Sequence, residues 1–287
     1  MIPNIPFENF FSYSPMAYDM VAHVLTLGYA VMLAALFYFI LTMKSVAPKY
    51  RISSVLSVVV MVSAFLLLYA QAQNWDYAFV YDEGLNQYVR ADGASTFTNG
   101  YRYLNWLIDV PMLLFQILFV INITGDKFAS TRNQFFFSGA MMIITGYIGQ
   151  YYEVSNAMAF YVWGAISTLF FFHVLYLMKK ILDEGKIGMA PGAAKLIGTI
   201  WTLFLVSWML YPGAYLMPAI TANLPDGSGV GILPLLDGET AVVARSITYT
   251  VADVSSKVIY GILLTVAAQI RSKEEANYDY DTLDTVS

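Results

Sequence analysis

The sequence predicts an all-α membrane protein: one domain over residues 1–287, a bundle of seven transmembrane helices with the N-terminus outside and the C-terminus in the cytoplasm. Three observations predict it. Apolar residues make up 58% of the chain and charged residues only 12%, against roughly 45–50% and 25% in soluble proteins. The few charges leave gaps long enough to cross a bilayer, and the basic ones gather on alternate connections. The same numbers exclude disorder, since such a chain has ample apolar surface to bury. A net charge of −5 without a basic patch excludes nucleic acid as a partner. With no cysteine there is no disulfide, thiol chemistry or Cys-ligated metal.

A spanning helix needs about 20 mostly apolar residues. Five stretches carry no formal charge: 20–43, 52–75, 133–152, 154–178 and 196–225. Two more, 101–123 and 241–270, are as apolar but hold Arg102 and Asp109, and Asp253 and Lys257. The runs are continuous and lack the period-two alternation of outer-membrane strands, so helices are expected rather than a barrel. Eleven of the fifteen Lys and Arg lie after spans one, three and five and at the C-terminal end, which places those segments inside. The first span, with no basic segment or cleavage site before it, is read as the insertion signal of a multi-pass protein of the cell's inner (plasma) membrane. Residues 1–18 are expected to form an extracellular cap and 272–287 a cytoplasmic tail, acidic and disordered from Glu274. Between spans two and three, turn signals at Asp82-Glu-Gly and Asp92-Gly around Tyr88-Val-Arg predict a short hairpin. His23 and His173 are far apart and read as packed or interface residues rather than ligands.

The four charges within spans are the informative residues, because an ionisable group in the bilayer is expensive. At 100° per residue, Arg102, Asn105, Asp109 and Gln116 fall within an arc of about 60°, a polar column about 21 Å long. Asp253 and Lys257, four apart, share one face of the seventh span. Two readings fit. Lys257 pairs with Asp109 or Asp253 to hold helices together, or it holds an aldehyde as a Schiff base that a carboxylate keeps protonated. Trp106 beside the column and Trp208, Tyr211 and Tyr215 on one face of span six suit either a core or an apolar chromophore. Pro111 and Pro212 are expected to kink their helices and make room for a ligand.

Arg102-Tyr-Leu-Asn-Trp106, Trp208-Met-Leu-Tyr-Pro212 and Asp253-Val-Ser-Ser-Lys257 in the third, sixth and seventh spans resemble the motifs of microbial (type 1) rhodopsins, over essentially the whole chain. The resemblance implies all-trans retinal on Lys257, within a pocket of Trp106, Trp208, Tyr211, Pro212, Tyr215, Met142 and Gly146. Outward proton pumps of that family carry a carboxylate where this chain has Asn105, a Thr at Asp109 and often a carboxylate at Gln116. The triplet Asn105, Asp109, Gln116 is instead similar to that of light-driven sodium pumps, as is the surrounding Leu-Ile-Asp-Val-Pro-Met-Leu-Leu-Phe-Gln run.

The resemblance therefore implies a light-driven outward Na+ transporter, not an enzyme, with H+ and Li+ as further candidate ions. Asp109 is expected to be counterion and proton acceptor, turning toward Ser63 after illumination. Asn105 and Asp253 are expected to offer oxygens to a transient Na+, and Arg102 to part the central cavity from the outside. Glu8, Glu153 and Arg245 match an exit cluster capped by Phe7-Glu-Asn-Phe10, although Glu8 and Glu153 also read as solvated helix-end charges. Ser57 and Gln116 match an uptake cavity, in which Ser54 and Thr265 depart from the family's Asn and Gly. Gly164 stands where several proton pumps have Trp, leaving a gap for a carotenoid antenna or simply permitting packing. Besides the lipid bilayer, the resemblance implies a second partner, further copies of the chain in a pentamer. Outward proton pumping, above all without Na+, and light sensing are the alternatives.

Overall fold

A computed structural model describes residues 5–187, 189, 191–225 and 227–274. Seven long helices follow the charge map: α1 Pro15–Thr42, α2 Arg51–Ala78, α3 Gly100–Val120, α4 Gly125–Tyr151, α5 Ala157–Gly185, α6 Pro191–Tyr215 and α7 Gly238–Glu274. Each packs on the next, and α7 closes the ring against α1. Pro15 at the first turn of α1 needs no hydrogen-bond partner for a missing N–H, while Ser14 Oγ caps the Ala17 amide at 3.3 Å. Asn156 and Asp237 cap α5 and α7 in the same way, at 3.0 and 2.9 Å. Among the described residues, six helices are long and apolar enough to cross a membrane. The other is α4, which begins at Gly125 rather than near 133 and carries Asp126, Lys127 and Arg132 in its first turns.

Three further boundaries differ from expectation. The sixth span ends at Tyr215, not near 225, because absence of charge does not sustain a helix: Pro218 enters a 3-10 turn, Met217–Ile220, and Asn223 takes a positive φ of 59°. The N-terminal cap is shorter than 1–18, since α1 starts at Pro15. At the other end, α7 runs to Glu274, so residues 272–274 are helical, and the expected acidic tail beyond lies outside the described residues.

The predicted hairpin is present. Strands β1 (Phe79–Asp82) and β2 (Gln87–Arg90) pair antiparallel, with Val80 opposite Val89. Asp82 Oδ1 accepts the Gly84 and Leu85 amides and Asn86 takes φ 53°, which closes the turn. The hairpin is tied to the N-terminal segment by paired backbone bonds between Tyr13 and Tyr88, and the Tyr18 ring stacks on Tyr88 at 3.7 Å.

Within α7, Val254–Ile259 forms one π-helical turn, a feature absent from the sequence expectation. Pi turns insert one extra residue into the ladder and re-aim side chains, often at functional sites. Lys257 sits in this one.

Candidate functional site

The polar column predicted on α3 exists and is fully enclosed: Arg102, Asn105, Asp109 and Gln116 are each at most 1% exposed. Helical periodicity turns all four inward, three of them onto polar side chains of α2 and α7. Their contacts divide into an inner site, a cytoplasmic pair and an extracellular cluster.

At the inner site, Asp253 gathers four donors from three helices. Lys257 Nζ, one turn along α7, donates to Oδ1. Trp106 Nε1 and the Tyr211 hydroxyl donate to the same oxygen, each at 2.9 Å, and Arg102 Nη1 donates to Oδ2 at 2.5 Å. Both carboxylate oxygens are thereby supplied with donors. Arg102 is held further by Thr250 Oγ1 at 3.1 Å. Asp109 lies one turn deeper on α3 than Asn105, whose Nδ2 donates to Asp109 Oδ2 at 2.6 Å and to Ser63 Oγ at 3.1 Å. The Ser63 partner is thus Asn105 in this structure, and the near ion-pair partner of Lys257 is Asp253. Among the described residues, Asn105 Oδ1 and Asp109 Oδ1 are buried without a hydrogen-bond donor. Unpaired buried oxygens are costly in a stable core and typical of a place that something else visits.

Toward the cytoplasm, Ser57 Oγ donates to Gln116 Oε1 at 3.0 Å, and among the described residues Gln116 Nε2 has no acceptor. Ser54 is buried nearby on α2, whereas the Thr265 hydroxyl turns back to the Gly261 carbonyl of its own helix.

The exit residues are not solvated helix-end charges. Glu8, Glu153 and Arg245 are all 1–2% exposed, and Arg245 donates to Glu8 Oε1 at 3.1 Å and to Glu153 Oε2 at 2.6 Å. Glu153, in the turn after α4, also accepts the Phe7 amide at 2.9 Å. Burial pushes its carboxyl above the usual carboxylate range, with the Arg245 guanidinium opposing. Asn99 links Glu8 to Gln71. The 3-10 turn Phe7–Phe10 closes over this cluster, with Asn9 bonded to both the amide and the carbonyl of Phe97. Sequence reasoning missed Asn99 and Gln71, which are neutral side chains near helix ends and carry no signal of pairing.

A cavity of about 230 Å³ crosses the bundle from Lys257 to α5. Every predicted pocket residue lines it: Trp106, Trp208, Tyr211, Pro212, Tyr215, Met142 and Gly146. Tyr103, Val110, Phe171, Tyr249 and Ser256 line it too and were not predicted. Ser256 and Tyr249 were readable, since one adjoins Lys257 and the other stands two turns before it on the same face. A lysine amine opening into an aromatic, water-poor cavity is the donor set an apolar aldehyde requires. The residues present fit retinal. Gly164 touches the Tyr215 ring, and a Cβ there would fall 2.9 Å from Tyr215 Cε1.

A profile of the family described as "Bacteriorhodopsin-like protein" matches residues 19–270. Bacteriorhodopsin of Halobacterium salinarum is 27% identical over 175 residues, 61% of this chain and 59% of that protein. The alignment thus spans about three-fifths of the length of the curated relatives. Among solved structures, thermophilic rhodopsin is 29% identical with a TM-score of 0.80, covering 95% of this chain and all of that one. Xanthorhodopsin, described as a light-driven ion pump with dual chromophore, is 28% identical with a TM-score of 0.79, covering 93% of this chain and 99% of its own. Retinal is the cofactor, and the chain is a multi-pass protein of the plasma membrane. A seven-helix bundle whose last helix presents a buried lysine to an aromatic cavity, and whose residues 19–270 fit the family profile, belongs to the bacteriorhodopsin-like proteins.

Proposed function

We propose that this protein is a light-driven outward sodium pump. The observation that carries the reading is the distribution of buried carboxylates. Among the described residues they are Glu8, Asp109, Glu153 and Asp253. None lies on the cytoplasmic side of Asp109, where the column ends in the neutral pair Gln116 and Ser57. An outward proton relay needs a donor there, and an amide cannot supply a proton at any physiological pH. The light-driven ion pump named among the related structures supports a pump over a sensor.

Retinal, when bound at Lys257, supplies light absorption and a positive charge at Nζ that repels cations from the column. The chain's residues do the rest. Asp109 acts as counterion and takes up the proton from Lys257 Nζ, turning from Asn105 toward Ser63. With both groups neutral the column no longer repels Na+, since at low dielectric a fixed positive charge a few ångströms away is a prohibitive barrier. Asn105 Oδ1 and Asp253 offer oxygens to the passing ion, fed from the Ser57, Ser54 and Gln116 side. Return of the proton from Asp109 closes the path behind it. Arg102 separates the inner site from the exit, and Arg245, Glu8 and Glu153 form the way out. H+ and Li+ are candidate cargo by the same route. Outward proton transport in the absence of Na+ is the second reading, favoured by the acidic groups that run outward from Asp109.

His23 is exposed on the outer face of α1, within the span. An imidazole facing lipid is costly, which supports cover by a second copy of the chain, and the resemblance implies a pentamer. The Tyr215 ring against Gly164 supports packing as the reason for that glycine rather than a carotenoid site.

In inside-out vesicles carrying the pigment, illumination is expected to drive uptake of radiolabelled Na+ that a protonophore does not abolish. No light-dependent uptake at millimolar Na+ contradicts the proposal.

A further inference from the structure

Arg245, Tyr249, Asp253 and Lys257 recur at every fourth residue of α7 and are each at most 1% exposed. Arg245 belongs to the extracellular cluster, Asp253 and Lys257 to the inner site. Tyr249 stands between them. Its ring centroid is 5.5 Å from the Arg102 guanidinium and 5.7 Å from that of Arg245. Arg245 lies one turn outward of Tyr249, and Arg102 is fastened at Asp253, one turn inward, and at Thr250, the next residue along the helix. The ring therefore separates the two cations along the exit path. It also packs against Trp106 at 5.2 Å and Tyr211 at 6.4 Å, both in the wall of the retinal cavity. Among the described residues, neither the phenol oxygen nor Nε of Arg102 or of Arg245 forms a hydrogen bond of ordinary geometry, although the phenol stands close to the Arg245 guanidinium. The contact with Arg102 is made by the ring. A π face attracts a guanidinium most where water is excluded.

We propose that Tyr249 is the positioning residue of the extracellular gate: its ring holds Arg102 inward on Asp253 and bars the route from the Arg245 cluster to Lys257. The inference concerns the same site as the sodium-pump reading, but its test does not depend on which ion moves. Retinal-loaded, full-length protein in lipid vesicles is exposed in the dark to hydroxylamine, which consumes the bond at Lys257, and bleaching of the visible band is timed. Tyr249→Leu, which removes the π face, is expected to bleach about tenfold faster than the native protein, the scale of a desolvated cation–π contact. Tyr249→Phe, which keeps the ring, is expected to stay within about twofold, because the ring rather than the hydroxyl carries the contact. Thr250→Val frees Arg102 from its second anchor and is expected to bleach faster as well.

A native bleaching rate in a pigmented Tyr249→Leu overturns the proposal and leaves the sodium reading standing. Should Tyr249→Leu form no pigment, the other two variants decide: the gate requires Thr250→Val to bleach faster than Tyr249→Phe, and equal rates overturn it. Conversely, faster bleaching in a protein that moves no Na+ leaves the gate standing and removes the pump.

Discussion

Replacing Lys257 with alanine is expected to yield a folded, membrane-inserted protein with no visible absorption and no light-driven transport. Among the described residues Lys257 is the sole lysine of the cavity wall, so without it no covalent chromophore forms. Folding survives because Asp253 keeps Arg102, Trp106 and Tyr211 as donors after the lysine is gone. Loss of one partner from a buried ion pair costs about 3–5 kcal/mol when nothing replaces it; here a second cation remains, and the cost is expected to be smaller. Expression followed by immunoblot, helical content by circular dichroism and an absorption spectrum after retinal addition check the three parts separately. A purple or orange product contradicts the assignment of Lys257.

The second large effect is expected at Asp109. Asp109→Asn keeps shape and the hydrogen bond from Asn105, but removes the charge and the capacity to take a proton. Transport is expected to fall to background and the absorption to shift to the red. The shift follows because a carboxylate near the chromophore charge stabilises the ground state more than the excited state, in which that charge moves away. At about 4 Å and an effective dielectric near 20 such a pair is worth about 4 kcal/mol, a visible change in colour. The structure makes this substitution discriminating. Lys257 has Asp253 as its near partner, so if Asp253 were the whole counterion, Asp109→Asn would leave the spectrum where it was. Unchanged colour together with unchanged pumping removes Asp109 from both proposed roles.

Much of the architecture was legible because charge is so costly in a bilayer. The apolar stretches locate six of the helices within a turn or so of one end or the other, four of them as gaps free of formal charge, and the buried column on α3 follows from helical periodicity alone. The limits were physical. Residues 216–225 carry no charge, yet Pro218 and the backbone at Asn223 end the helix there. The π turn around Lys257 interrupts the α-helical ladder at Val254–Ile259, and no local sequence pattern reveals it. Asp253 and Lys257 were found as a pair, but the four donors on Asp253 converge from α3, α6 and α7, and a linear sequence does not show convergence. Glu8 and Glu153, 145 residues apart, read equally as part of an exit cluster with Arg245 and as solvated helix-end charges for the same reason; buried and paired with Arg245, they belong to the cluster.

The most direct test of the sodium-pump reading is the light-induced pH change in an unbuffered suspension of expressing cells given retinal, first in NaCl and then in KCl, with and without a protonophore. Active Na+ export makes the cell interior negative, and protons follow it inward. The expected result in NaCl is alkalinisation of the medium that the protonophore enhances. Acidification in NaCl that the protonophore abolishes makes protons the pumped ion and contradicts the reading of Asn105, Asp109 and Gln116.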